Sequence, residues 1–104
     1  MDIMDQIKNQ IESAAIILYM KGTPEFPQCG FSSRAVQILE QCEVEFSYVN
    51  IFEHPDIRDN LKLYSNWPTF PQLFVKGELV GGSDIMLELY QSGELQDILK
   101  NAHH

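Results

Sequence analysis

The segment Cys29-Gly30-Phe31-Ser32 is the part of this chain whose residues are best suited to chemistry. It follows a proline-containing loop and opens a predicted helix, which is where a C-x-x-C redox motif is expected. Ser32 stands where that motif has its second cysteine. A dithiol pair resolves its own mixed disulfide by intramolecular attack, whereas a lone thiol needs a second thiol from another molecule. The sequence therefore predicts that Cys29 completes a redox cycle or a metal site only with an external thiol.

The reactivity of Cys29 depends on its predicted surroundings. A helix that starts directly after it stabilises a thiolate and lowers the thiol pKa from its ordinary value of about 8.5. Lys21, at the end of the first predicted strand, adds a nearby cation. The alternative is a small buried apolar residue, as most isolated cysteines in cytosolic proteins are. The loop, the helix start and Lys21 favour the thiolate, whereas Cys42 at the other end of the helix is interpreted as structural or incidental.

Thr69-Phe70-Pro71, in the turn that begins at Trp67, is a candidate binding segment. A turn with prolines on both sides favours a cis peptide bond more than most sites do. Such a bond would leave the N–H and C=O of Phe70 facing outward, where an extended peptide can pair with them. An ordinary turn from loop to strand explains the segment equally well.

The segment Gly81-Gly82-Ser83-Asp84 precedes a predicted helix and is a candidate anion site. The free N–H groups of a helix start suit a carboxylate, and Asp84 suits an adjacent ammonium, so together they fit an α-amino acid head group. Plain helix capping by Ser83 and Asp84 is the simpler explanation of this segment in isolation. Arg58, with Lys21, is placed to hold a second carboxylate by charge-assisted hydrogen bonds, or it is an exposed helix residue without a ligand.

Hydrophobic periodicity and turn residues predict the order α-β-α-β-α-β-β-α-α. Asp2 caps the first helix, the two internal strands are parallel through a right-handed crossover, and Ser83 caps the fourth helix. The predicted helices cover residues 3–13, 30–42, 55–65, 83–90 and 95–101, and the predicted strands cover residues 14–20, 45–51, 72–75 and 79–81.

Composition limits the possible classes of protein. At 104 residues and 44% hydrophobic, the chain forms one domain, which we place at residues 1–102. Its formal net charge of −8 argues against general affinity for nucleic acid or anionic membranes. Two cysteines, no signal segment and no long apolar stretch predict a soluble protein of a reducing compartment, the cytoplasm. His103 and His104 are consistent with the remnant of an expression tag and are excluded from metal arguments.

From Asp2 to about Lys100 the chain resembles the monothiol glutaredoxins of the CGFS type, in their single-domain bacterial form. The matching segments occur in the family's order and spacing. They are Tyr19-Met20-Lys21-Gly22, Cys29-Gly30-Phe31-Ser32, Asn66-Trp67-Pro68-Thr69-Phe70-Pro71-Gln72 and Gly81-Gly82-Ser83-Asp84.

The resemblance implies an α/β fold of the thioredoxin-like (glutaredoxin) type, with a four-stranded mixed sheet in the order 2-1-3-4 between helices. It also implies a site for glutathione. Lys21 and Arg58 would hold the glycine carboxylate, and the backbone of Thr69-Phe70-Pro71 would pair with the cysteinyl unit. Gly82, Ser83 and Asp84 would receive the γ-glutamyl head.

The resemblance further implies a role in iron–sulfur cluster biogenesis. Two protomers, monomeric without cluster, would bridge one 2Fe–2S cluster with two Cys29 thiolates and two glutathione thiolates, and would pass it to apo acceptor proteins, with BolA-type proteins as further partners. Many members carry cysteine where this chain has Ser83, so an internal disulfide with Cys29 through that position is excluded.

Two other functions compete with the cluster carrier, which would bind and deliver without turning over a substrate. One is a glutathione-dependent monothiol oxidoreductase that reduces protein–glutathione mixed disulfides. The loop Thr23-Pro24-Glu25-Phe26-Pro27-Gln28, longer than in dithiol relatives, argues against it, because the loop is expected to reposition glutathione and weaken disulfide exchange. The other is an interaction module with an inert Cys29 of ordinary thiol pKa.

Overall fold

Apolar residues at helical and strand spacing build nine elements within residues 2–102, which are the residues that the computed structural model describes. The predicted order of helices and strands is confirmed, and the tag interpretation of His103 and His104 lies outside these residues. In chain order the elements are α1 (Ile3–Ser13), β1 (Ile16–Met20), α2 (Gly30–Gln41), β2 (Ser47–Asn50), α3 (Pro55–Ser65), β3 (Gln72–Val75), β4 (Glu78–Gly81), α4 (Ser83–Ser92) and α5 (Glu94–Asn101).

The four strands form one mixed sheet in the order β2-β1-β3-β4, as predicted. Strand β1 runs parallel to β2 and antiparallel to β3, and β4 returns antiparallel to β3 as a hairpin. All five residues of β1 are buried, because this strand is central and both faces of the sheet are covered. The continuous apolar run thus forms a strand in the interior of the protein, as predicted.

Two apolar clusters lie on opposite faces of the sheet. Helices α2, α4 and α5 contribute to the first cluster, through residues such as Leu39, Met86 and Leu99. Helices α1 and α3 contribute to the second, through Ile11 and Leu61 among others. Helices thus cover both faces, which is the thioredoxin-like architecture expected above. None of the described helices is long and apolar enough to cross a membrane.

Several element boundaries differ from the predictions by one or a few residues. The first two strands are shorter than their apolar runs, because the outer residues of each run lie in the connections rather than in the ladder. Ser83 does not cap α4. Gly82 is the capping residue, with an extended backbone, and its carbonyl accepts the first helical bond from the N–H of Met86 (2.9 Å). Helix α4 also continues to Ser92, where the left-handed Gly93 ends it and separates it from α5.

The topology gathers four connections at one edge of the sheet. Strands β1, β2 and β4 end at this edge, and the antiparallel β3 begins there. The connections after β1 and β2, before β3 and after β4 are therefore neighbours. They carry Lys21, Cys29, Thr69, Phe70, Pro71 and Gly82. Ser83 and Asp84 follow directly as the first residues of α4, and Arg58 lies in α3.

Candidate functional site

Cys29 is the capping residue at the start of α2, and its sulfur takes the place of the usual capping oxygen. Its backbone is extended (φ −155°, ψ 150°), and its Sγ accepts a hydrogen bond from the N–H of Ser32 (3.4 Å). The carbonyl of Cys29 accepts the N–H of Ser33 at 2.9 Å, which starts the helix. The sulfur therefore lies among backbone N–H groups that have no partner within the helix.

Ser32 connects the sulfur to the end of β1. Its side chain is fully buried, and its Oγ accepts the N–H of Lys21 (3.0 Å) and lies 3.8 Å from the Cys29 sulfur. Because the lone pairs of Oγ face Lys21, its hydrogen is available to the thiolate. The residue that replaces the second cysteine of a dithiol motif is thus a buried hydrogen-bonding partner of the first.

The pKa of the Cys29 thiol lies below its ordinary value. Partial burial of the sulfur raises the pKa, but several smaller effects together outweigh it. In order of size they are the hydrogen bond from the Ser32 N–H, the bond with the Ser32 hydroxyl, the bond from the Phe31 N–H and the charge of Lys21. Burial alone acts on Cys42 and raises the pKa of its thiol. The predicted lowering of the Cys29 pKa is supported, with hydrogen bonds contributing more than Lys21, whereas the pKa of Cys42 differs because of its burial.

Replacing Ser32 by alanine is expected to raise the pKa of Cys29, because the hydroxyl donor to the thiolate is lost. The rate of alkylation by iodoacetamide should then follow a pH profile displaced to higher pH, with a lower rate at neutral pH. Because the thiol pKa is lower in the folded state, the free energy of unfolding increases as pH rises from the folded to the unfolded pKa. Ser32→Ala should reduce this increase in stability. Ser33→Ala, one residue along the same helix, is the control and should leave the profile unchanged. An unshifted profile for Ser32→Ala would contradict this role.

The loop between β1 and Cys29 closes on itself through backbone bonds. The N–H of Gln28 donates to the carbonyl of Lys21 (2.8 Å), and Thr23 and Phe26 exchange two backbone bonds of 3.3 and 3.1 Å. The side chain of Phe26 is 74% exposed at the loop tip. This arrangement fixes the approach of the chain to Cys29.

One cleft of about 680 Å³ brings together eight of the nine predicted site residues. Cys29 is not one of its lining residues, but it lies beside the cleft, since the charge of Lys21 acts on its thiol and Phe31 lines the wall. The predicted residues in the cleft are Lys21, Arg58, Thr69, Phe70, Pro71, Gly82, Ser83 and Asp84.

The backbone of Phe70 is open to a ligand. The Phe70–Pro71 peptide is cis, as one of the two interpretations of this turn required. Within residues 2–102, neither the N–H nor the C=O of Phe70 has a hydrogen-bond partner. The Phe70 side chain is buried in the second apolar cluster, so the polar backbone atoms are presented from a fixed residue.

Two ion pairs modify the predicted charges of the cleft. Nε of Arg58 lies 3.2 Å from Oδ1 of Asp59. Nη1 of Arg34 lies 3.8 Å from Oδ1 of Asp84. All four side chains are substantially exposed, so each pair is weak and a ligand can compete with it. Asp84, predicted to meet an ammonium, thus already has a cation, Arg34, that sequence reasoning missed.

Sequence reasoning also missed part of the cleft wall. Lys62 lies four residues after Arg58, so helical spacing already places it on the same face of α3. Its Nζ lies 5.9 Å from the centre of the Phe70 ring, over the ring face. Three of the seven basic residues of a chain with net charge −8 therefore line one cleft. The other lining residues not predicted are Phe31, Phe52, Asp59, Trp67 and Pro68.

Known proteins are similar to this chain in sequence and fold. Residues 16–80 match the glutaredoxin family. Glutaredoxin 4 of Pasteurella multocida is 61% identical over 95% of this chain and 91% of its own length. A probable monothiol glutaredoxin, GrlA of Legionella pneumophila, is 63% identical over 83% of this chain and 97% of its own length. Among solved structures, reduced apo GrxS14 of poplar is 48% identical, with a TM-score of 0.82 over 95% of this chain and 91% of that one.

The family match covers Lys21, Cys29, Arg58 and the turn before β3, so it includes the lone thiol and part of the cleft beside it. The chain therefore belongs to the glutaredoxin family, and within it to the monothiol glutaredoxins of the single-domain bacterial type.

Proposed function

We propose that this protein binds a glutathione-ligated 2Fe–2S cluster at the interface of a homodimer and transfers the cluster to apo acceptor proteins. The observation that carries this proposal is a single thiol of lowered pKa, at a helix start, beside a cleft that is lined by three cations and by the start of α4. The thiol supplies one cluster ligand, and the cleft supplies a site for a small thiol-bearing peptide.

Glutathione is the proposed occupant because its charges match the groups that line the cleft. It carries two carboxylates, one ammonium and one thiol. Lys21, Arg58 and Lys62 offer cations for the glycine carboxylate, and the first N–H groups of α4 suit the carboxylate of the γ-glutamyl head. The open backbone of Phe70 lines the same cleft and suits the cysteinyl amide, which would direct the glutathione thiol toward Cys29.

The donor set of the chain fits a shared cluster rather than one held by a single protomer. A 2Fe–2S cluster is usually bound by four thiolates. Residues 2–102 contain no group of three or more His, Cys, Asp or Glu side chains placed to hold a metal ion. Cys42 lies at the far end of α2, roughly 20 Å from Cys29 at the rise of an α-helix, so it cannot join the same cluster. A second protomer and two glutathione molecules supply the three missing thiolates.

Ligands that dissociate suit a cargo that must be released. Glutathione is held by hydrogen bonds and exposed ion pairs, so two of the four cluster ligands can exchange for ligands of a recipient. The partners we propose are therefore a second copy of this chain, apo iron–sulfur proteins and BolA-type proteins, in the cytoplasm. Without cluster, the protein is expected to be a monomer.

Anaerobic reconstitution with iron, sulfide and glutathione tests this proposal. We expect visible absorption of a 2Fe–2S cluster, two irons per dimer and the native mass of a dimer that includes two glutathione molecules. Omitting glutathione, or supplying a thiol without carboxylates such as β-mercaptoethanol, should leave a colourless monomer. Equal cluster loading with both thiols would contradict the glutathione site.

A second candidate function rests on the same thiol. A partly exposed cysteine of lowered pKa is also a nucleophile. Its thiolate would attack the glutathionyl sulfur of a mixed disulfide and release the protein thiolate. A second glutathione would then attack the Cys29–glutathione disulfide, giving oxidised glutathione and restoring Cys29. Turnover on such a substrate without cluster binding would favour this oxidoreductase over the carrier.

A further inference from the structure

The side chain of Gln72, the first residue of β3, is fully buried and holds the turn before it. Its Nε2 donates to the carbonyl of Trp67 (3.0 Å) and to the carbonyl of Thr69 (3.1 Å). Both hydrogens of the amide are thus used within one turn. The strand itself is fixed by pairing of Gln72 with Tyr19 of β1, so the amide extends from a rigid base.

The turn from Trp67 to Pro71 has few other backbone bonds. Pro68 and Pro71 have no N–H to donate. Across the described chain, the only other backbone hydrogen bond of this turn joins the N–H of Trp67 to the carbonyl of Lys62 (3.3 Å). The path of the backbone on either side of Phe70 therefore depends on the two bonds from Gln72.

We propose that Gln72 is a positioning residue that holds the Trp67–Pro71 turn in the shape that presents the Phe70 backbone to the ligand. This inference rests on the proposed glutathione site and names a residue that lies behind it without touching the ligand. The bond at Trp67 fixes the start of the turn, and the bond at Thr69 fixes the residue directly before Phe70.

The neighbouring groups determine which way the Gln72 amide faces. A flipped amide would direct its oxygen at two carbonyl oxygens, so Nε2 must face them. Its Oε1 is buried without a hydrogen-bond partner in residues 2–102, and so is the Nε1–H of Trp67. An unpaired buried oxygen is costly. The Gln72 amide thus leaves its oxygen without a hydrogen bond in order to make two bonds to the turn. Because the unpaired oxygen offsets part of the stability that these bonds add, their main effect is to fix the shape of the turn.

Gln72→Met tests this inference, since methionine has similar length and no donor. We expect the dissociation constant for glutathione, measured by calorimetry on the monomer, to rise by roughly tenfold through loss of the two bonds. The iodoacetamide rate at Cys29 should stay at the wild-type value. The ¹⁵N relaxation order parameters of Thr69 and Phe70 in the free protein should fall. If Gln72→Met does not fold, Gln72→Leu, which is smaller and also has no donor, carries the same expectations.

Val75→Ala is the matched control, because Val75 is buried at the other end of the same strand. It should lower the Tm without changing glutathione affinity or the order of the turn. The inference is overturned if Gln72→Met leaves the order of Thr69 and Phe70 unchanged, or if Val75→Ala weakens glutathione binding as much. Absence of glutathione binding by the wild-type protein would instead refute the proposed function, and the order parameters would still decide the role of Gln72.

Discussion

Cys29→Ser is expected to abolish cluster binding completely while the fold is kept. Serine has no thiolate to offer iron, and no other thiol lies near the cleft, so absorption and iron content should fall to background and the native mass should be that of a monomer. Serine is also a preferred helix-capping residue, and its oxygen can accept the Ser32 N–H in place of sulfur. The Tm should therefore stay near the wild-type value, which separates loss of a ligand from loss of structure.

Cys42→Ser is the matched control for this variant. Cys42 ends α2 through its backbone N–H, which donates to the carbonyl of Ile38 (3.1 Å), and serine keeps that bond. Cluster loading and dimer mass should equal those of the wild-type protein. Iron retained by Cys29→Ser, or lost by Cys42→Ser, would place the cluster ligand elsewhere and refute the proposed donor set.

Sequence was sufficient for the elements whose signals are local. The apolar spacing of α1, the proline at the start of α3 and the continuous apolar run of β1 each depend on neighbours within one element. The position of Cys29 at a helix start follows from the loop before it and the periodicity after it. The lowered pKa of Cys29 was predictable from this position, whereas the raised pKa of Cys42 comes from burial, which depends on contacts with other elements.

Features that depend on contacts between elements were not predictable from periodicity. Ser32 faces the end of β1 only because the α2 start packs there, so its bond to Lys21 has no signature in the sequence. Arg34 meets Asp84 because α2 and α4 lie side by side on one face of the sheet. Gly82 rather than Ser83 caps α4, a shift of one residue that apolar periodicity does not distinguish.

The distribution of charge links the cleft to its proposed ligand. A chain with net charge −8 repels anionic molecules in general, yet Lys21, Arg58 and Lys62 make one part of its surface attractive to a carboxylate. Asp59 and Asp84 in the same cleft oppose ligands that carry only negative charge. A zwitterionic peptide with separated carboxylates satisfies both conditions, and this selectivity favours glutathione over simple anions.

Gly22→Ala is expected to destabilise the protein by about 3 kcal/mol and to disrupt the loop before Cys29. Gly22 has a φ of +93°, where a side chain is strained, and an added Cβ would lie 2.5 Å from the carbonyl oxygen of Phe26 and 2.8 Å from the backbone N of Gln28. Both neighbours are backbone atoms of a hydrogen-bonded loop, so they cannot move aside cheaply. For a domain of this size the Tm should fall by roughly 15 °C in a thermal melt.

Gly30→Ala is the control on the other side of Cys29. An added Cβ at Gly30 meets no atom within 4 Å, and the residue is the first of α2. Alanine favours the helix over glycine, so this variant should be neutral or more stable by up to about 1 kcal/mol. Gly22→Ala should also change the iodoacetamide rate of Cys29, because Lys21 and Gln28 are joined across Gly22, whereas Gly30→Ala should leave it unchanged. Equal stability of the two variants would show that the close approach at Gly22 does not hold the loop in place.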